Sequence, residues 1–185
     1  MTINAWTLRR AVPTLAGALA LTASVTLGAV ATEMSDPARQ GDMFKRVFSY
    51  DKDLRGTEKI VVIVVGATRD DGDAVTVATV FREKGLYPAI VTSAELTDHL
   101  VATLTPQSAV MYVMPGVPYD TVKEFAEVNG FLSISGVSSL AEEGHVSVSV
   151  DVQGGKPQIV VNMPRLVSER HELSSELLNL ARVIR

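Results

Sequence analysis

Between residues 60 and 135 the chain switches repeatedly between two hydrophobic periods. Ile60–Val65, IVVIVV, is apolar at every position, the pattern of a strand covered on both faces. LYPAIVT (86–92), AVMYVMP (109–115) and FLSIS (131–135) read as three further strands, with Pro88 marking an edge or a strand start. Helix-period stretches lie between them. Ala74, Val77, Ala78 and Phe81 share one helical face that closes at Lys84-Gly85. Leu96, Leu100, Val101 and Leu104 form a stripe on a helix expected from Ser93 to Thr105-Pro106. Pro118 opens a third helix, with Val122, Phe125, Ala126 and Val128 expected inward and Asn129-Gly130 as its cap. Ahead of the first strand, Asp36-Pro37 has the form of an N-cap followed by proline at the first helical position. Met43, Phe44, Val47 and Phe48 then supply the apolar face of a helix ending near Tyr50.

After Ser135 the pattern changes. GVSSLAEEG reads as a turn or short helix. In HVSVSVDV, Val146, Val148, Val150 and Val152 point one way, and Ser147, Ser149 and Asp151 the other. That alternation predicts an antiparallel strand with one face in water. QGGK is a turn, PQIVVN returns as a second strand, and the hairpin is expected to extend the sheet at one edge. SSELLNLARVIR places Leu177, Leu178, Ala181 and Ile184 on one face of a closing helix, with Ser174 or Ser175 as its N-cap. The strand–helix alternation followed by a hairpin predicts a three-layer α/β fold. Its sheet is mostly parallel with helices on both faces, and it ends in an antiparallel hairpin and a terminal helix.

The N-terminus sets the compartment. Residues 1–31 have Arg9 and Arg10, no acid, an apolar run of small residues and Ala29-Val30-Ala31 at the end. That is the form of a cleaved secretory leader; Pro13, Gly17 and the A-x-A site favour cleavage over retention as a membrane anchor. The expected organisation is therefore a leader over 1–31, a short tether over 32–41 and one domain over 42–185. The whole chain carries 17 Lys and Arg against 21 Asp and Glu. The leader removes two of the bases, so the exported part is more acidic still, which argues against nucleic acid and anionic membranes as partners. The chain has no cysteine, so an exported domain must hold together by its core alone.

No motif carries chemistry outright, and no cofactor is predicted. GATRDDG (66–72) follows a strand as a phosphate loop does, but it lacks the closing Gly-Lys-Ser/Thr and is acidic. Its aspartates lack calcium-loop spacing, and Asp73 is expected to cap the next helix. His99, His145 and His171 each stand alone in sequence, with no second histidine or cysteine at ligand spacing, so no metal site is predicted. SISGVSS contains Ser133, Ser135, Ser138 and Ser139 without the glycines of a nucleophile elbow. What survives is topology. Ligands of open parallel sheets sit beyond the carboxyl ends of the strands. This nominates the loops Gly66–Asp71, Met114–Tyr119 and Ser135–Ser139, and within them Thr68, Arg69, Asp70, Pro115, Gly116, Ser135 and Ser138 as candidate binding residues.

The C-terminal half carries a family likeness. FLSISGVSSLAEEGHVSVSVDVQGGKPQIVVNMPRLVSERHELSSELLNLARVIR resembles the YfiR-like periplasmic proteins. The shared features are the strand before a glycine turn, the hairpin ending in Asn162, and the terminus from Ser174 to Ile184. MFKRVFSYDKDLRG resembles the start of one branch of that family, so the likeness spans about residues 42–185. Its motifs are structural. The chain differs from characterised members in lacking cysteines and in having FKRVFSYDKDL where their aromatic N-terminal helix stands. The resemblance implies a non-enzymatic domain in the periplasm that represses a membrane-bound diguanylate cyclase and is able to dimerise. The partner it implies is the periplasmic domain of an inner-membrane sensor or cyclase. The alternative is a small-ligand-binding accessory of a transport system, with its site at the strand-end loops.

Overall fold

The computed structural model describes residues 34–56, 58–97, 100, 102–153 and 156–185. The leader, His99, Val101 and the Gly154-Gly155 turn lie outside the described residues. The chain from Ala31 onward forms one compact unit. Helix α1 (Pro37–Tyr50) leads into β1 (Ile60–Val65), α2 (Gly72–Glu83) and β2 (Tyr87–Thr92). β3 (Ala109–Val113), α3 (Tyr119–Asn129), β4 (Leu132–Ser135) and α4 (Ser138–Glu142) follow. β5 (Val148–Gln153) and β6 (Lys156–Asn162) make the hairpin; α5 (Met163–Ser168), α6 (Ser175–Leu180) and β7 (Arg182–Ile184) close the chain.

The described strands make a seven-stranded sheet in the order β2-β1-β3-β4-β5-β6-β7. Every neighbouring pair is parallel except β5–β6, so the expected α/β fold with a terminal hairpin is present. β1 and β3 are buried almost throughout because helices cover both their faces. Against one face, Phe44 of α1, Phe81 of α2 and Tyr112 of β3 meet edge to face, with centroids 5.4–6.3 Å apart. On the other, Glu127 of α3 meets Arg165 of α5.

Several local expectations shift. The tether expected over 32–41 becomes helix at Pro37, because Asp36 caps α1 by accepting from the amide of Ala38 at 3.1 Å. Asp71, not Asp73, caps α2, accepting from the amides of Asp73 and Ala74. The helix expected from Ser93 begins as a three-residue 3-10 turn, Ser93–Glu95. Val128, expected inward, is 65% exposed, because α3 buries only the stripe through Val122 and Ala126.

The largest corrections fall at the C-terminus. Of the positions expected in water along β5 and its approach, Ser147 and Ser149 are fully covered and Asp151 is half-buried, whereas Val152, expected inward, is 39% exposed. The terminal helix stops at Leu180, and Arg182–Ile184 runs parallel to Val160–Asn162 as a seventh strand. The cause is an obligation of the backbone. The amide of Asn162 donates inward to Ser147 at 2.9 Å, so the groups of Val161 point to the far side and need a partner there. Arg182-Val183-Ile184 supplies one, and β-branched residues suit a strand better than a fraying last helical turn.

Candidate functional site

The strand order reverses at β1, with β2 on one side and β3 on the other. This is the crevice where open α/β sheets hold ligands. Gly66 and Gly116 meet there: a side-chain carbon on Gly66 would lie 3.5 Å from the Gly116 carbonyl. Thr68, Arg69, Asp70, Pro115 and Gly116 are all exposed at its rim. Arg69 grips both oxygens of Glu95, whose carboxylate also accepts from the amide and hydroxyl of Thr92 at 2.7 and 2.9 Å. The Arg69 hydrogen bonds foremost, then those of Thr92, pull the Glu95 carboxyl down to about 2. Gly116, at φ 78°, donates its amide to the Tyr119 hydroxyl at 2.9 Å, and the Tyr119 ring stacks on His145 at 4.4 Å.

Ser135 and Ser138 are not part of this rim. Ser135 is fully buried, donates to the Val113 carbonyl at 2.8 Å and accepts from the amide of Val137 at 3.3 Å. Ser138 is half-buried, and its carbonyl accepts from Ser149 at 3.4 Å. The end of β4 is filled by the chain itself. The amide of Ser35 donates to the Gly136 carbonyl at 2.9 Å, and buried Gln40 accepts from the Tyr112 hydroxyl at 2.6 Å while donating to the Ser35 carbonyl. A side-chain carbon on Gly136 would overlap the Gln40 amide. Of the three loops nominated by topology, the first two converge; the third is filled at Gly136 by Gln40, while Ser138 borders a cavity of about 430 Å³ lined also by Ser35, Asp36, Arg39 and Asp151.

Two buried polar clusters escaped the sequence reading. Glu169, fully buried, accepts from the amide of Ser133 at 2.9 Å, from the hydroxyls of Ser133 and Ser147, and from Arg165 at 2.9 Å. Burial lifts its carboxyl above the ordinary range, against the opposing pull of Arg165 and the serines. The second cluster joins His171 to Asp51 at 3.0 Å and to the Gly130 carbonyl at 3.1 Å. An Asp–His pair is two parts of a hydrolytic triad, but here the ring's other nitrogen is spent on a backbone carbonyl rather than a hydroxyl. The only sequence signal was an alternation of serines opposite valines, which reads equally as a solvated face.

The surface around α6 differs in character. One groove of about 430 Å³ is lined by Met43, Ile159, Leu177 and Leu180 together with Arg46, Lys156 and Gln158. A second, of about 530 Å³, is lined by Met163, Leu166, Val167 and Leu178 among others. Leu180 is 67% exposed and Val167 66%.

No protein-family model matches this chain, and no curated protein does. Among solved structures it is similar to an ABC domain in complex with L-Trp from Streptococcus pneumonia. That match has TM-score 0.55 and 13% identity, and covers 80% of this chain and 60% of the other. It is similar also to a conserved domain protein from Vibrio cholerae, with TM-score 0.55, 13% identity, and coverage of 83% and 61%. The chain thus spans about three fifths of each. At this identity the likeness is one of α/β fold.

Proposed function

We propose that this chain is an exported, non-enzymatic regulatory domain that acts by protein contact in the periplasm. The partner on this reading is the periplasmic domain of an inner-membrane sensor or diguanylate cyclase. The observation that carries it is a contrast between two surfaces. At the strand ends, the polar groups are matched by the chain's own residues, Arg69 by Glu95 and Gly136 by Ser35. Around α6, two grooves of mixed apolar and polar lining flank exposed Leu180 and Val167. Exposed apolar side chains beside preformed grooves are what protein interfaces use as anchors. In a binding assay with the partner's periplasmic domain, Leu180→Glu and Val167→Glu should each weaken association at least about tenfold, the scale of one lost anchor. Unaltered affinity in both, with the fold intact, would sink the reading.

A second reading has its own support. Arg69 stands after β1 and Tyr119, stacked on His145, stands after β3, and a neighbour of this fold is described in complex with L-Trp. On that reading the chain is a small-ligand-binding accessory of a transport system. A thermal-shift screen with amino acids decides it, since a ligand of the folded state must raise the unfolding midpoint. The shift should vanish in Arg69→Ala.

A further inference from the structure

Three residues that look unrelated in sequence meet at one corner of the domain. One donor atom from each of Asp51, Asp53 and His171 lies within 4.8 Å of the other two. Asp51 directly follows α1. Its Oδ1 accepts from the amides of Asp53 and Leu54 at 2.9 and 3.0 Å, which leaves Oδ2 turned toward His171 Nδ1 at 3.0 Å. The far side of the ring is fixed, because Nε2 donates to the Gly130 carbonyl at 3.1 Å. A backbone carbonyl on one imidazole nitrogen is how metal-ligating histidines are held, so that the other nitrogen presents its lone pair. Two donors at this spacing can share an ion at ordinary bond lengths of about 2.0–2.2 Å.

The scaffold is rigid on both sides and open on one. The amide of Lys52 donates to the Glu172 carbonyl, the amide of Ser174 donates to the Tyr50 carbonyl, and Asp51 bridges Leu173, so the two ligand-bearing segments are stitched together. A cavity of about 190 Å³ lined by Asp53, Asn129, Gly130, Arg170 and His171 gives access. Asp51 and His171 are buried while Asp53 is exposed, so Asp53 is free to close over an incoming ion. The other charges near the cluster are Lys59, whose amine feels Asp51 and donates to the Gln107 carbonyl at 3.3 Å, Arg170 at the cavity, and Glu169, whose charge reaches His171.

We propose that Asp51, Asp53 and His171 form a site for a divalent ion of the zinc class, with its remaining coordination position open to the cavity. One imidazole and two carboxylates suit zinc or nickel rather than calcium or magnesium, which take oxygen alone. The ion replaces the proton between His171 and Asp51, so binding releases a proton to solvent. The site stands independently of whether the α6 surface docks a partner.

The test is calorimetric titration of the tag-free full chain with zinc chloride, in two buffers of different ionisation enthalpy, with calcium chloride as control. Expected is one ion per chain, held at least about a hundredfold more tightly than calcium, with buffer-dependent proton release. Asp53→Ala should weaken zinc at least about tenfold while the metal-free unfolding midpoint stays in place, since Asp53 is exposed. His145→Ala should leave binding unchanged, which separates this site from the surface pair His145–Glu143. Zinc binding that is absent, that survives Asp53→Ala at full strength, or that disappears with His145→Ala would overturn the proposal.

Discussion

Ser133 and Ser147 show how much a small side chain can carry. Each is fully buried, and each spends its hydroxyl on Glu169, a carboxylate that water cannot reach. Removing one donor leaves the acid short of a partner, so Ser147→Ala should cost about 1–3 kcal/mol in chemical unfolding. Gly136 is constrained from the other direction. Its neighbour Gln40 is buried and held by Tyr112 and Ser35, so Gly136→Ala should destabilise by about 1–3 kcal/mol through overpacking. His171 adds a pH dependence. Burial lowers its affinity for a proton, but the hydrogen bond and charge of Asp51, the Gly130 carbonyl and the charge of Glu169 together outweigh burial and raise it. A raised folded value means the stabilisation is complete below the ordinary histidine value near 6.5 and is lost as pH rises through the folded one. The stability difference between the native chain and His171→Asn, followed from about pH 6 upward in metal-free buffer, should therefore shrink. A constant or growing difference would contradict the imidazolium–Asp51 pair.

At the scale of elements, the two sheet edges are treated differently. On β2 the outward positions alternate with those facing β1. Tyr87 donates inward to Lys59, so Pro88, Ile90 and Thr92 face out. Pro88 has no donor, and the amide of Thr92 is taken by Glu95, so two of these three outward amide positions offer nothing to an incoming strand. At the other end, β7 covers Val160–Asn162. Removing residues 182–185 should uncover the amide of Val161. Hydrogen exchange at that amide should quicken, and the truncated chain should self-associate, where the intact chain does not by this edge. The β5–β6 hairpin, which reads in isolation as a strand-addition edge, is interior at β5 and covered at β6 only over Val160–Asn162.

At the scale of the whole molecule, among the described residues, one hydrophobic cluster takes in side chains from Phe44 to Leu177 about the sheet. With no cysteine in the chain, no disulfide supplements that core. Thermal unfolding of the chain should thus be a single transition whose midpoint ignores reducing agent. At this scale the functional question becomes which surface is left over. The strand ends after β1 and β3 turn inward on Glu95 and Tyr119, and two grooves flank the short helix before β7.

The order of strands and helices was legible in the chain because burial imposes its period directly: the short β-branched run IVVIVV reads as a doubly covered strand, and Asp36-Pro37 announces α1 wherever it packs. Local capping and periodicity act over a few residues, so one sequence suffices to read them. The strand-end loops followed from topology, though not the plugging of one by Ser35 and Gln40. What only the tertiary structure decided are meetings between distant residues: Ser133 and Ser147 with Glu169, Asp51 with His171, and Arg182–Ile184 with β6. A valine–serine alternation has the same period whether its polar face meets water or a buried carboxylate. The difference lies in the partner, and the partner is supplied from far along the chain.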